Sequence, residues 1–225
     1  PSASSANPTL INCTISDNSA TNQGGGMVNS GSISTATSPT LTNCTISGNS
    51  AKKGGGMVNV NTSPTLTNCV ISGNRATWGE GGGFYNLANY SDVSPTLTNC
   101  TITGNSGSGM YNLFNRATVS PTFTNCIVWG NAPSQVEGGS PSYSYSDIQG
   151  SGGSGIGIWV TSFGTDGGDN IDGDPRFVES IVPSGEPTTG GNFRPGDHDD
   201  PISPVIDAGD NSVWEDVTDP VDIEG

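Results

Sequence analysis

The densest group of chemically capable side chains lies late in the chain. The stretch "DGGDNIDGDP" sets Asp166, Asp169, Asn170, Asp172 and Asp174 within nine residues, and "GDHDDP" adds Asp197, Asp199 and Asp200. Calcium takes about six to eight oxygen ligands from carboxylates and carbonyls on flexible loops, so acids punctuated by glycine suit it. Asp166, Asp169, Asp172 and Asp174 are therefore the expected metal ligands, and Ca2+ is the one cofactor to expect. The competing reading is a solvated acidic surface in which Asp caps turns. The spacing departs from the EF-hand pattern, and Asp207 and Asp210 in "IDAGD" read as turn residues. His198, the single histidine, is either a further ligand or an exposed turn residue.

A second group recurs in one loop of successive copies of a repeated phrase: Lys52, Lys53, Arg75, Trp78 and Glu80. Side by side they would form a ligand loop able to hold a sugar, or else ordinary loop surface. Cleavage of a polysaccharide asks for more: a base beside calcium-binding acids, or two or three carboxylates facing a groove. The repeats hold neither arrangement. The "GGG" runs lack the Lys-Ser/Thr and helix of a phosphate loop.

The phrase itself decides what positions these groups. "SPTLTNCTISGNSAKKGGGMVN" has copies beginning at Asn7, Ser63, Ser94 and Ser120, and its cysteines fall 31, 25, 31 and 26 residues apart. A period in the twenties to thirties marks a solenoid, each unit burying its apolar face against its neighbours. Within a copy Leu41, Cys44 and Ile46 alternate with Thr and Ser, the period of a half-buried strand. Helical spacing is absent, and a coil this short has no room for a crossover helix. The fold expected is all-β: a parallel β-helix of about five to seven coils, with repeats over 1–131. Residues 132–225 would add the last coils and an irregular acidic capping segment of the same domain.

Neighbouring coils stack at about 4.7–4.9 Å, so equivalent residues form ladders. Asn12, Asn43, Asn68, Asn99 and Asn125 make one; Asn18, Asn49, Asn74, Asn105 and Asn131 a second; Asn29, Asn59, Asn86 and Asn112 a third. Each row is expected at a corner, bonded amide to amide. Asn12, Asn43, Asn61 and Asn99 begin glycosylation sequons, but the ladder predicts that those in it are buried. Cys13, Cys44, Cys69, Cys100 and Cys126 stack at strand spacing, wider than the roughly 3.8 Å between Cβ atoms of a disulfide, and should remain free thiols.

The outward positions are as regular. Thr40, Thr42, Thr65, Thr67, Thr96, Thr98, Thr122 and Thr124, with Thr9 and Ile11, give nine Thr in ten places on one face. Thr favours exposed sheet on its own account. These T-x-T rows also resemble the ice-binding surfaces of some β-solenoid antifreeze proteins, which would make the face a flat grid for ice.

Composition fits an exported small-residue protein, with 34 Gly, 15 Pro and 12% charged residues in 225. No apolar run is long enough to span a membrane. The chain starts at Pro1 rather than Met, as after removal of a signal peptide. Residues 1–131 carry three acids and four bases, whereas 132–225 carry eighteen acids and two bases. Without a basic stripe, nucleic acid is excluded as a partner.

The repeat resembles that of bacterial secreted right-handed parallel β-helix proteins, the pectate-lyase-like superfamily, and the repeats of polymorphic outer-membrane proteins. "YSDIQG", "NIDGDPRFV" and "SPVIDAGD" resemble the tail that follows such repeats in C-terminally anchored surface proteins. The resemblance implies a right-handed β-helix, secreted or at a bacterial-type cell surface, in a family that spans adhesins and sugar-binding and sugar-cleaving proteins.

The solenoid's ends point to a partner. Only "PSASSA" precedes the first copy, so the chain is either a piece of something longer or meets another surface there. Trp159, Phe163, Phe177, Phe193 and Trp214 could close the other end or dock on the next molecule, head to tail. The function expected is structural or adhesive, more a binder than an enzyme, with itself or a cell-surface polysaccharide as partner. Carbohydrate binding or cleavage and ice binding are the alternatives.

Overall fold

Thr40, Thr42 and their equivalents are β-branched and alternate with inward Leu, which commits each "TLT" to a short extended strand. The computed structural model describes residues 7–32, 38–155, 157–195 and 203–205. The "TLT" strands form a seven-stranded parallel sheet, running from Thr9–Ile11 through Thr40–Thr42, Thr65–Thr67, Thr96–Thr98, Thr122–Thr124 and Ser142–Ser144 to Thr165–Asp166. Register is kept throughout: Thr9 faces Thr40, then Thr65, Thr96, Thr122, Ser142 and Thr165.

Two further parallel sheets complete the coil. A six-stranded one holds Thr14–Ser16, Thr45–Ser47 and their successors to Asp147–Ile148, and a five-stranded one runs from Met27–Ser30 to Val136–Glu137. A fourth, short sheet pairs Ser50–Lys53 with Arg75–Glu80. Among the described residues the one helical element is a 3-10 turn, Thr161–Phe163.

The chain turns between the first two sheets at Asn12, Asn43, Asn68, Asn99 and Asn125, each with φ between 52° and 54°. Asn tolerates this left-handed region, where its short polar side chain bonds locally. Tyr145 and Asp169 adopt the same conformation, φ 51° and 56°, and carry the corner through two more coils. The core is a file of Leu41, Cys44, Ile46 and Met57 with their equivalents, all at most 1% exposed. In the first coil Leu10, Cys13, Ile15 and Met27 are only partly buried, because their strands end their sheets.

At the other end Trp159 and Phe163 plug the solenoid. Phe123 and Tyr143 stack at 4.8 Å, Trp159 lies against Tyr143 at 5.8 Å, and Phe163 against Trp159 at 6.4 Å. Among the described residues the acidic segment beyond forms a hairpin, Phe177–Glu179 with Asn192–Pro195, and its tip returns along the side of the coils. There Ile181 lies against Gly104, while Thr188 lies against Gly73 and donates its backbone N–H to the Gly73 carbonyl at 2.9 Å. These corner glycines have φ of 60° and 64°, and a Cβ on either would strike this strap.

Candidate functional site

Lys52 and Lys53 close the strand Ser50–Lys53, and Trp78 and Glu80 sit near the end of its neighbour, with Glu80 opposite Lys53. The structure thus brings Lys52, Lys53, Trp78 and Glu80 of the expected loop together, while Arg75 stands at the start of the strand, opposite Ser50. Lys53 and Glu80 form a 2.6 Å salt bridge, both partly exposed. Lys52 Nζ stands 5.0 Å from the Trp78 ring centre, and Lys53 Nζ stands 5.6 Å from it and 5.2 Å from Tyr85. Trp78 is 59% exposed, so its outer face is open to a ligand.

Sequence reading did not single out Tyr85 and Tyr111, which extend this surface. They stack at 5.8 Å with their planes 4° apart, as in-register neighbours on adjacent strands. The hydrogen bond to Glu80 holds Lys53 above the usual ammonium range. Burial raises both phenols, and for Tyr111 the charges of Glu80 and Glu137 raise it further. Tyr85 stands two residues after "GGG" and Tyr111 two residues after "GSG", equivalent places of adjacent copies, and this was the available signal. Beside the cluster a groove of about 440 Å³ runs between Arg75, Thr77 and Ser106 on the coils and Pro183–Gly185 on the strap. Flat rings flanked by amines and a carboxylate suit a ligand with apolar faces and hydroxyl edges.

The described acids of the late cluster accept local hydrogen bonds or stand at a turn. Asp166 accepts hydrogen bonds from Ser154, Gly168 and Asn170, which hold its carboxyl below the usual range, Ser154 most of all. Asp169 is the seventh left-handed corner. Asp172 accepts the backbone N–H groups of Gly150 and Gly152, and Asp174 that of Arg176. Among the described residues no three His, Cys, Asp or Glu side chains gather as a metal-holding group. Asp197, His198, Asp199, Asp200, Asp207, Asp210 and Trp214 lie outside the described residues.

The amide ladders form, with two corrections. Asn43 Nδ2 donates to Asn12 Oδ1 at 3.1 Å, Asn68 to Asn43 at 3.2 Å, and Asn99 to Asn68 at 3.1 Å. This row is on the surface, not buried: Asn12, Asn43 and Asn68 are exposed because the left-handed corner turns their side chains outward. The third row, Asn29 to Asn112, stands within strands rather than at a corner, its members linked at 2.8 Å.

The second row is saturated. Asn74 Oδ1 accepts both the backbone N–H and the Nδ2 of Asn49 at 3.0 Å, while Asn74 Nδ2 donates to Asn105 Oδ1 and the Ile46 carbonyl. Past Asn131 glutamines continue it: Gln135 Oε1 accepts from Asn131, and Gln135 Nε2 donates to Gln149 Oε1, both at 2.8 Å. The five cysteines are free, as expected. On the T-x-T face Thr9, Thr65, Thr96 and Thr122 are exposed, while Thr40, Thr42, Thr67, Thr98 and Thr124 are half-buried.

No curated protein and no solved structure matches the chain. The family model described as the right handed beta helix region matches residues 2–165, most of the chain, ending on the last strand of the T-x-T sheet. Seven in-register coils and this match give one conclusion: the chain belongs to the right-handed β-helix family.

Proposed function

We propose that this β-helix is an extracellular structural or adhesive rod. The observation that carries the reading is the saturated second amide row, in which buried side chains of successive coils satisfy one another without recruiting a ligand. Buried polar groups fully bonded in this way favour one rigid stacking register. Negative-stain electron microscopy with and without calcium tests it. Discrete rods or end-to-end filaments are expected; compact particles or flexible chains would overturn the rod.

The Trp78 cluster favours a second reading, carbohydrate binding on the side of the rod. Two lysines over one indole, with Tyr85, Tyr111 and the adjoining groove, give both stacking and hydrogen-bonding surface. Binding to a panel of immobilised polysaccharides is expected to fall at least about tenfold in Trp78→Ala, a loss in line with about 1.4 kcal/mol. Equal binding by the variant would remove the site. Ice binding, the use left to the T-x-T face, would appear as thermal hysteresis in a freezing-point assay.

A further inference from the structure

Cys13, Cys44, Cys69, Cys100 and Cys126 stand at one position of five successive coils, each following a left-handed Asn. Their side chains share one orientation. Each Sγ lies 3.2–3.3 Å from the carbonyl oxygen two residues earlier, those of Ile11, Thr42, Thr67, Thr98 and Thr124. Cys44, Cys69, Cys100 and Cys126 also reach a Leu carbonyl of the coil before, at 3.5–3.6 Å. The thiols therefore form a single file along the rod axis. Four are 1% exposed, and Cys13, on the end strand, is only half-buried.

Strands about 4.7–4.9 Å apart hold such side chains too far apart for a disulfide. Two metal–sulfur bonds of about 2.3 Å each, set in line, span nearly that distance. Thiolates select soft cations such as Cu(I), and a file of sulfurs offers a linear pair rather than the four ligands of a tetrahedral zinc site. We propose that Cys13 and Cys44, at the accessible end of this file, form a two-coordinate site for a soft monovalent cation.

Binding is a simple exchange. The cation replaces the proton of one thiol, the second sulfur donates a lone pair, and one H+ leaves. The charge of the site is unchanged, and nothing is oxidised or reduced. Neutrality matters here because Cys44 is buried, where an extra charge is disfavoured. Cys69, Cys100 and Cys126 are closed off, and a cation reaches them only by opening a coil.

The test is titration of the full, reduced chain with silver nitrate in chloride-free buffer, followed by native mass spectrometry, proton release and thermal unfolding. One tight equivalent, one proton released and a raised unfolding midpoint are expected, since a ligand that binds only the folded state stabilises it. That equivalent should be lost in Cys13→Ser, a change at a half-buried edge position that leaves the core file intact, and kept in Cys126→Ser. Retention in Cys13→Ser, loss in Cys126→Ser, or a midpoint lowered by silver would overturn the site. Zinc binding as tightly as silver would overturn the two-coordinate geometry.

Discussion

Asp147 shows what one buried acid does to this rod. It is 3% exposed, its Oδ1 accepts the Gly173 N–H at 3.0 Å, and its Oδ2 is buried without a partner. Burial, with Asp172 and Asp174 nearby, pushes its carboxyl up from 3.8 to about 7. The folded chain thus holds this proton more tightly than the unfolded chain. The stability it contributes is complete below about pH 3.8 and is lost as pH rises through about 7. Asp147→Asn keeps an acceptor for Gly173 and removes the charge. It is expected to raise the unfolding midpoint at pH 8, by on the order of 2–4 kcal/mol of stability, with the gap closing toward pH 4. A gap independent of pH would contradict this account. Asp147 escaped sequence reading because it stands in "YSDIQG", apart from the conspicuous acid cluster, and only the stacking of Asp147 beside Ile171 brings the two together.

At the scale of elements, strand and corner were legible wherever the phrase repeats. "PTLTNC", with its variants "PTLINC" and "PTFTNC", fixes a strand, a left-handed Asn and an inward thiol in five coils. The last two coils keep the geometry and change the letters. Tyr145 and Asp169 take the corner, and Ser146 and Asn170 the place after it, with the Ser146 N–H donating to Asn170 Oδ1 at 3.0 Å. A corner asks only for a residue that tolerates positive φ, so sequence identity drops away before the backbone does. The Lys52, Lys53, Trp78 and Glu80 cluster was legible because its members fall in the same loop of adjacent copies. The strap was not, since contact between Ile181 or Thr188 and the corner glycines has no periodic trace. Gly73→Val puts side-chain atoms where the Thr188 carbonyl lies and also strains φ 60°. It should release the strap at a cost of roughly 1–3 kcal/mol, read as faster proteolysis between residues 177 and 195. Unchanged proteolysis would mean that the strap is held elsewhere.

Among the described residues of the whole molecule, the first and last coils differ. The first coil offers partly buried Leu10, Cys13 and Ile15, with Ile11 57% and Val28 54% exposed, whereas the last coils are closed by Tyr143, Trp159 and Phe163. The indole N–H of Trp159 donates to the Gly164 carbonyl at 3.0 Å, which fixes the plug in place. Trp159→Ala should destabilise the chain by about 3 kcal/mol and expose Tyr143, detected by denaturant unfolding and by quenching of tyrosine fluorescence. A variant as stable as the parent would show that the end needs no plug.

The amide rows also have a sense. In the second row each Oδ1 accepts from the coil before, and in the third Asn112 Nδ2 donates onward to the Gly138 carbonyl. Asn18 and Asn29 therefore turn bare oxygens toward the first edge, where no described donor meets them. The rod has a chemical arrow. A block of the same phrase grafted there in the native direction meets those oxygens with amide hydrogens, while an inverted block sets acceptor against acceptor. Lengthening such a rod is thus a matter of copying, and its orientation comes with the copy.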